Sequence, residues 1–223
     1  MPRLKAVLFD LDGTLTKTAP ISEIFTRILR NHGISILLNE SREAFLEVMK
    51  EMSLESFKMP YMEFWRAYNL RVLERFGVKG NLEELADALT REWWENADLE
   101  VYPEVEDVLK MLKQRGVKIG IISNGFQNDI HEILSRTNLK GKFDVIVGVD
   151  NVGKPKPHGE IFRYALKKLK VNPSEVLFVG DDPEADWKGA EAAGLKALLI
   201  DRNNKIRGEY RKIRNLREII NYL

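Results

Sequence analysis

Two aspartates, Asp10 and Asp12, close the apolar run AVLF at residues 6–9 and lead into Gly13 and Thr14. Carboxylates two positions apart at the end of a buried strand repel each other and resist desolvation. Comparable polar groups close three more apolar runs. VKIGII ends in Ser123, Asn124 and Gly125, and FDVIVGV is followed by NVGKPKP, with Lys154. EVLFVG ends in Asp181 and Asp182, with Asp186 one helical turn on. A hard cation among these acids would make them tolerable. Asp10, Asp181 and an oxygen of Asp12 suit magnesium, which takes oxygen ligands and keeps some waters. It would also hold Asp10 ionised as a nucleophile. A substrate sharing that charge is an anion, with phosphate the first choice. Ser123, the amides near Asn124 and Gly125, and the Lys154 ammonium would hold its oxygens. Asp10 would attack phosphorus in line. Asp12 would protonate the leaving alcohol and then deprotonate the hydrolytic water.

These groups meet only if the fold collects strand ends. Five short apolar runs alternate with helical patterns, which implies an open, Rossmann-like parallel sheet with helices on both faces. In such a sheet the C-terminal strand ends share one crevice. Helical faces are read in YPEVEDVLKMLKQRG, QNDIHEILSRT and HGEIFRYALKKLK. PEADWKGAEAAG reads as one helix opened by Pro183 and closed by Gly194. The tail EYRKIRNLREIINYL is expected to end in a helix.

Residues 16–99 break the rhythm. They read as amphipathic helices in ISEIFTRILRNHG, SREAFLEVMKEM, YMEFWRAYNLRVLERFG and NLEELADALTREWWENA. The expected organisation is therefore a catalytic core over 1–15 and 100–223, with a helical cap domain inserted at 16–99. Trp93 and Trp94 are read as core of that insertion.

Composition narrows the classes. Hydrophobic residues make up 44% and charged residues 31%, as in an ordered globular protein. Lys plus Arg number 35 against 34 Asp plus Glu, so no net field favours nucleic acid or acidic membranes. Without cysteine, disulfides, thiolate nucleophiles and cysteine zinc sites are excluded. No apolar run reaches bilayer length, and no apolar leader precedes the first strand. A cytoplasmic protein is expected, a monomer or homodimer, acting on a small phosphorylated metabolite. Neither GxxxxGK[ST] nor GxGxxG occurs.

The ordered motifs resemble the haloacid dehalogenase superfamily on its phosphatase side. DLDGTL is similar to its first motif, SNG to its second, KPKP to its third and VGDDPEADWKGAEAAG to its fourth. The resemblance implies a Rossmann-like core with a helical cap between the first two motifs. It implies Asp10 as nucleophile, Asp12 as acid/base and Asp181 as a magnesium ligand, with the metal taking the main-chain carbonyl at Asp12. It assigns phosphate binding to Ser123 and Lys154, and a supporting place beside Lys154 to Asp186. Lys156 is expected to be exposed. Asp182 stands where relatives often carry serine or threonine.

Plainer readings compete. Ser123, Asn124, Asp181 and Asp182 are all good helix caps. His32, His131 and His158 share no ligand spacing and read as structural. A dehalogenase, a phosphosugar mutase and a receiver-type signalling module are the alternative functions. Asp12 and the late acids oppose the first, and the lysine loop after the third strand opposes the last.

Overall fold

The computed structural model describes residues 4–35 and 42–223. The strands are β1 (Ala6–Phe9), β2 (Thr16–Lys17), β3 (Glu100–Val101), β4 (Lys118–Ile122), β5 (Val145–Val147), β6 (Val176–Gly180), β7 (Lys196–Ile200) and β8 (Lys212–Ile213). The first helices are α1 (Ile21–Asn31), α2 (Arg42–Glu51), α3 (Tyr61–Arg75) and α4 (Leu82–Asn96). The later ones are α5 (Val105–Gln114), α6 (Gln127–Arg136), α7 (Gly159–Leu169) and the single turn α8 (Gly189–Ala192).

Six strands form one parallel sheet in the order β5-β4-β1-β6-β7-β8. β1 lies in the middle and is buried along its whole length. That is why its sequence shows no polar alternation. Ala6 and Leu8 point to one face, packed with Ile161, Phe162, Ala165, Leu166 and Leu169 of α7. A Cβ at Gly120 of β4 would collide with Leu8 and Val145, so glycine permits this close packing. All five expected apolar runs are strands of this sheet.

The chain divides into two compact units, Met1–Lys17 with Glu100–Leu223, and Thr18–Leu99. The first holds the sheet. In the second, α1 to α4 lie near their expected places, with Ser41, expected to open α2, outside the described residues, and the unit also holds an unexpected 3₁₀ helix, Leu54–Lys58. Aromatic side chains fill its interior, with Phe25 against Phe45 at 5.1 Å and against Trp93 at 5.7 Å. The division falls after Lys17, two residues later than the expected core boundary. Thr16 and Lys17 pair antiparallel with Val101 and Glu100, which ties both to the sheet-bearing unit.

Two features had no signal in the apolar pattern. The β2–β3 ladder and β8 have two residues per strand, too short for periodicity. The helix expected from Pro183 to Gly194 is instead a wide π-type turn, Pro183–Lys188, followed by α8. The tail carries β8 and then a 3₁₀ helix, Leu216–Tyr222.

Candidate active site

Register builds the site. Phe9 lies opposite Ile121 of β4 and Val179 of β6. The chain therefore leaves the sheet side by side at Asp10, at Ile122 and Ser123, and at Gly180 and Asp181. The Asp10 amide donates to the Val179 carbonyl at 2.8 Å, carrying the pairing one residue past the strand.

Lys156 ties these ends together. Its ammonium donates to Asp10 Oδ1 and to Asp186 Oδ1, each at 2.6 Å. It also lies 5.4 Å from the centre of the Phe178 ring. The Lys156 side chain is 2% exposed, Asp186 2% and Asp10 11%, so solvent screens little of this interaction. Asp10, Asp181 and Asp186 each offer a carboxylate oxygen, all within 4.8 Å of one another.

The lysine assignment is corrected here. Lys154, expected to hold phosphate, donates to Glu160 at 2.6 Å with its side chain 43% exposed. Lys156, expected outside, is the buried one. It sits in a turn closed by the His158 amide on the Pro155 carbonyl at 3.0 Å. Asn124, two residues past β4, grips that turn. Asn124 Oδ1 accepts the Lys156 amide at 2.6 Å, and Asn124 Nδ2 donates to the Lys156 carbonyl at 3.2 Å. The Asn124 side chain, expected near phosphate, thus holds the lysine loop.

Asp186 explains the wide turn. Its Oδ2 accepts the Asp182 amide at 3.0 Å while Oδ1 holds Lys156. The Trp187 amide reaches back to the Asp182 carbonyl at 3.2 Å, five residues away. Such π-type turns are frequent at functional sites. A Cβ at Gly180 would occupy the place of the Asp186 carboxylate. Asp182 Oδ1 caps the turn, accepting from Glu184 at 2.7 Å and Ala185 at 2.9 Å.

Gly13 has φ +80°, and a Cβ there would collide with the Asp181 carboxylate. Asp181 therefore lies against the peptide that follows Asp12. Asp12 is exposed, while Thr14 is fully buried. Ser123 follows β4, and its Oγ accepts the Gly125 amide at 3.0 Å. The Gly125 carbonyl accepts the Val149 amide at 3.0 Å, joining the loops after β4 and β5.

Three carboxylates face one ammonium. Burial pushes the Asp10 carboxyl well above the usual range, Lys156 pulls it back, and Asp186 and Asp181 push it up again. Burial alone would strip the Lys156 proton, but Asp10 and Asp186 outweigh it and hold the ammonium charged. Three neighbouring carboxylate oxygens form a donor set that suits a hard divalent cation. The carboxylates of Asp10, Asp181 and Asp186 fit a hard divalent cation such as magnesium.

Residues 4–194 match the haloacid dehalogenase-like hydrolase family. The glyceraldehyde 3-phosphate phosphatase of Methanothermobacter thermautotrophicus is 30% identical, covering 89% of this chain and 86% of the relative. The phosphoglycolate phosphatase of Aquifex aeolicus is also 30% identical, over 88% and 84%. A crystal structure of a HAD phosphatase from Thermococcus onnurineus superposes with TM-score 0.69 and 31% identity, over 98% of this chain and 97% of that one. A 2-haloacid dehalogenase structure from Pseudomonas syringae does so with TM-score 0.70 and 27% identity, over the same shares.

Proposed function

The chain belongs to the haloacid dehalogenase-like hydrolase family, and on that premise we propose that it is a magnesium-dependent phosphatase. Its substrate is a small phosphomonoester, cleaved through an aspartyl-phosphate on Asp10. The carrying observation is Lys156, held between Asp10 and Asp186 with Asp181 within 4.8 Å. That cluster sets a carboxylate nucleophile among three oxygen donors that suit a hard cation.

When bound, magnesium would offset carboxylate charge and draw phosphoryl oxygens toward Asp10. Asp181, Asp10 and the Asp12 carbonyl are the proposed ligands, with Asp186 holding Lys156 beside them. Lys156 donates to a substrate oxygen and keeps Asp10 oriented. Ser123 Oγ and the Asn124 amide face the other phosphoryl oxygens. An Asp10 oxygen forms a bond to phosphorus as the phosphorus–alkoxide bond breaks. Asp12, on an exposed turn, gives the leaving alkoxide its proton. It then takes a proton from the water that attacks phosphorus, and the Asp10–phosphorus bond breaks to release phosphate. The two phosphatase relatives act, by name, on glyceraldehyde 3-phosphate and phosphoglycolate. Short-chain phosphomonoesters are therefore the substrate class to try first.

The dehalogenase neighbour motivates one competing assay. Phosphate release from a panel of short-chain phosphomonoesters, with magnesium or chelator, is measured beside halide release from a 2-haloacid. Magnesium-dependent phosphate release, lost in Asp10→Asn, is expected. Halide release without metal would replace this reading by dehalogenation.

A further inference from the structure

We infer that Arg202 is a positioning residue for Asp12, pinning the turn after β1 so that the acid stays in register with Asp10. The inference rests on Asp12 serving as the proton donor of the proposed phosphatase.

Asp12 and Thr14 lie on opposite sides of a short excursion. Asp12 is exposed and Thr14 fully buried, so the turn leaves the protein and returns within two residues. Local bonds shape it: the Gly13 amide donates to the Thr16 carbonyl at 2.7 Å, and the Leu15 amide to the Leu11 carbonyl at 2.9 Å. These bonds close the turn on itself. They do not fix its angle to the sheet.

Arg202 does that. It follows β7, and its Nη2 donates to the Thr14 carbonyl at 2.8 Å. Nη1 donates to Glu104 Oε1 at 2.6 Å. The guanidinium carbon stands 3.4 Å from the centre of the Tyr102 ring. One planar group thus joins the turn after Asp12 to the chain after β3. The Tyr102 amide adds a bond to the Leu15 carbonyl at 3.1 Å. Arg202 is 15% exposed and Glu104 3% at their side chains, so the pair is largely dry. Glu104 Oε1 also takes the Leu216 amide at 3.4 Å, anchoring the pin to the 3₁₀ helix of the tail.

Two further facts fit. Among the described residues, Thr14 Oγ1 and Arg202 Nε are buried without a hydrogen-bond partner. Such groups are costly, and native structures keep few of them. Here they fall on both partners of one bond. The Tyr102 hydroxyl is also shifted above its ordinary value. Burial, then the guanidinium, then the Asp12 and Asp181 carboxylates act on its hydroxyl. Lysine cannot replace this residue in kind, since only the flat guanidinium can fork to two acceptors while stacking on a ring.

A leaving-group comparison tests the inference. A phenolate such as para-nitrophenolate leaves without a proton, whereas an alkoxide needs one, so only the alkyl ester reports on Asp12. kcat/KM is measured on both esters, with magnesium, for the wild type, Asp12→Asn, Arg202→Lys and Glu104→Gln. Asp12→Asn sets the pattern of a lost acid. Arg202→Lys is expected to lose about tenfold or more on the alkyl phosphate and about threefold or less on the aryl phosphate, a weaker copy of that pattern. Amide exchange at Gly13 and Thr16 should quicken in the same variant. Glu104→Gln should shift both readouts the same way by less, and it carries the comparison if Arg202→Lys fails to fold. Equal losses on both esters, or none, would reduce Arg202 to packing and overturn the inference. A wild type that cleaves neither ester would overturn the phosphatase reading instead.

Discussion

Lys156 holds two buried carboxylates at once, and that arrangement decides what its loss does. Lys156→Met leaves Asp10 and Asp186 facing each other without a cation. Breaking a buried pair from one side costs about 3–5 kcal/mol, so the metal-free variant should melt well below the wild type. Activity should fall by ~10²–10³, the scale of one lost electrostatic contact to a transition state. Lys154→Ala removes an exposed partner of Glu160, and such pairs contribute ~0–1 kcal/mol. Melting curves and kcat/KM of both variants check this, and a large loss in Lys154→Ala with none in Lys156→Met would refute it. The motif was plain in the sequence, but which of its lysines is buried was not. Both lysines precede proline, and periodicity does not reach into such a loop. The choice is made by Asn124, which binds the Lys156 backbone from 32 residues away. Nothing local to KPKP announces that grip. The placement of Asp10, Ser123 and Asp181 at one sheet edge was legible because each follows a strand whose apolar pattern is unmistakable.

Elements were legible in proportion to their length. β1, β4 and β6 are buried runs, and register alone carries their ends to one edge. The π-type turn at Pro183–Lys188 was hidden because a helical pattern fits the same residues until Asp186 reaches back to Lys156 and the Asp182 amide. β8 was hidden because a tertiary contact selects it. The Asp201 amide donates to the Ile213 carbonyl at 2.7 Å, and its carboxylate accepts the Lys205 amide at 2.8 Å and the Ile206 amide at 3.1 Å. Burial acts to raise the Asp201 carboxyl, but those amides and the Lys212 ammonium at 3.6 Å bring it below its ordinary value. A depressed folded-state value means stability that is present above the unfolded value near 4 and lost as pH falls through the folded one. Asp201→Asn should therefore be less stable than the wild type at neutral pH. The gap should close as pH drops below about 4. Urea midpoints across that range test this, and a gap that widens in acid would contradict it.

The whole molecule is two units joined at neighbouring points. Lys17 pairs with Glu100 across β2 and β3, and the Ala19 amide donates to the Ala97 carbonyl at 2.8 Å. Each unit thus has its ends together, a condition under which insertions and excisions are tolerated. Replacing Thr18–Leu99 by a two-residue Asn-Gly turn should leave the sheet-bearing unit folding cooperatively. If the helical unit is a cap that selects substrate, the excised core should keep some cleavage of an aryl phosphate and discriminate poorly among alkyl ones. Loss of a cooperative melt would show that the sheet needs the insertion. The account as a whole turns on Asp10 taking the phosphoryl group. The direct measurement is acid quench within the first turnover, followed by mass spectrometry of the peptides. A phosphoryl group on Asp10, released by mild base and absent in Asp10→Asn, is the predicted result. Phosphate freed in that first turnover with Asp10 never modified, or modified only at another residue, would contradict it.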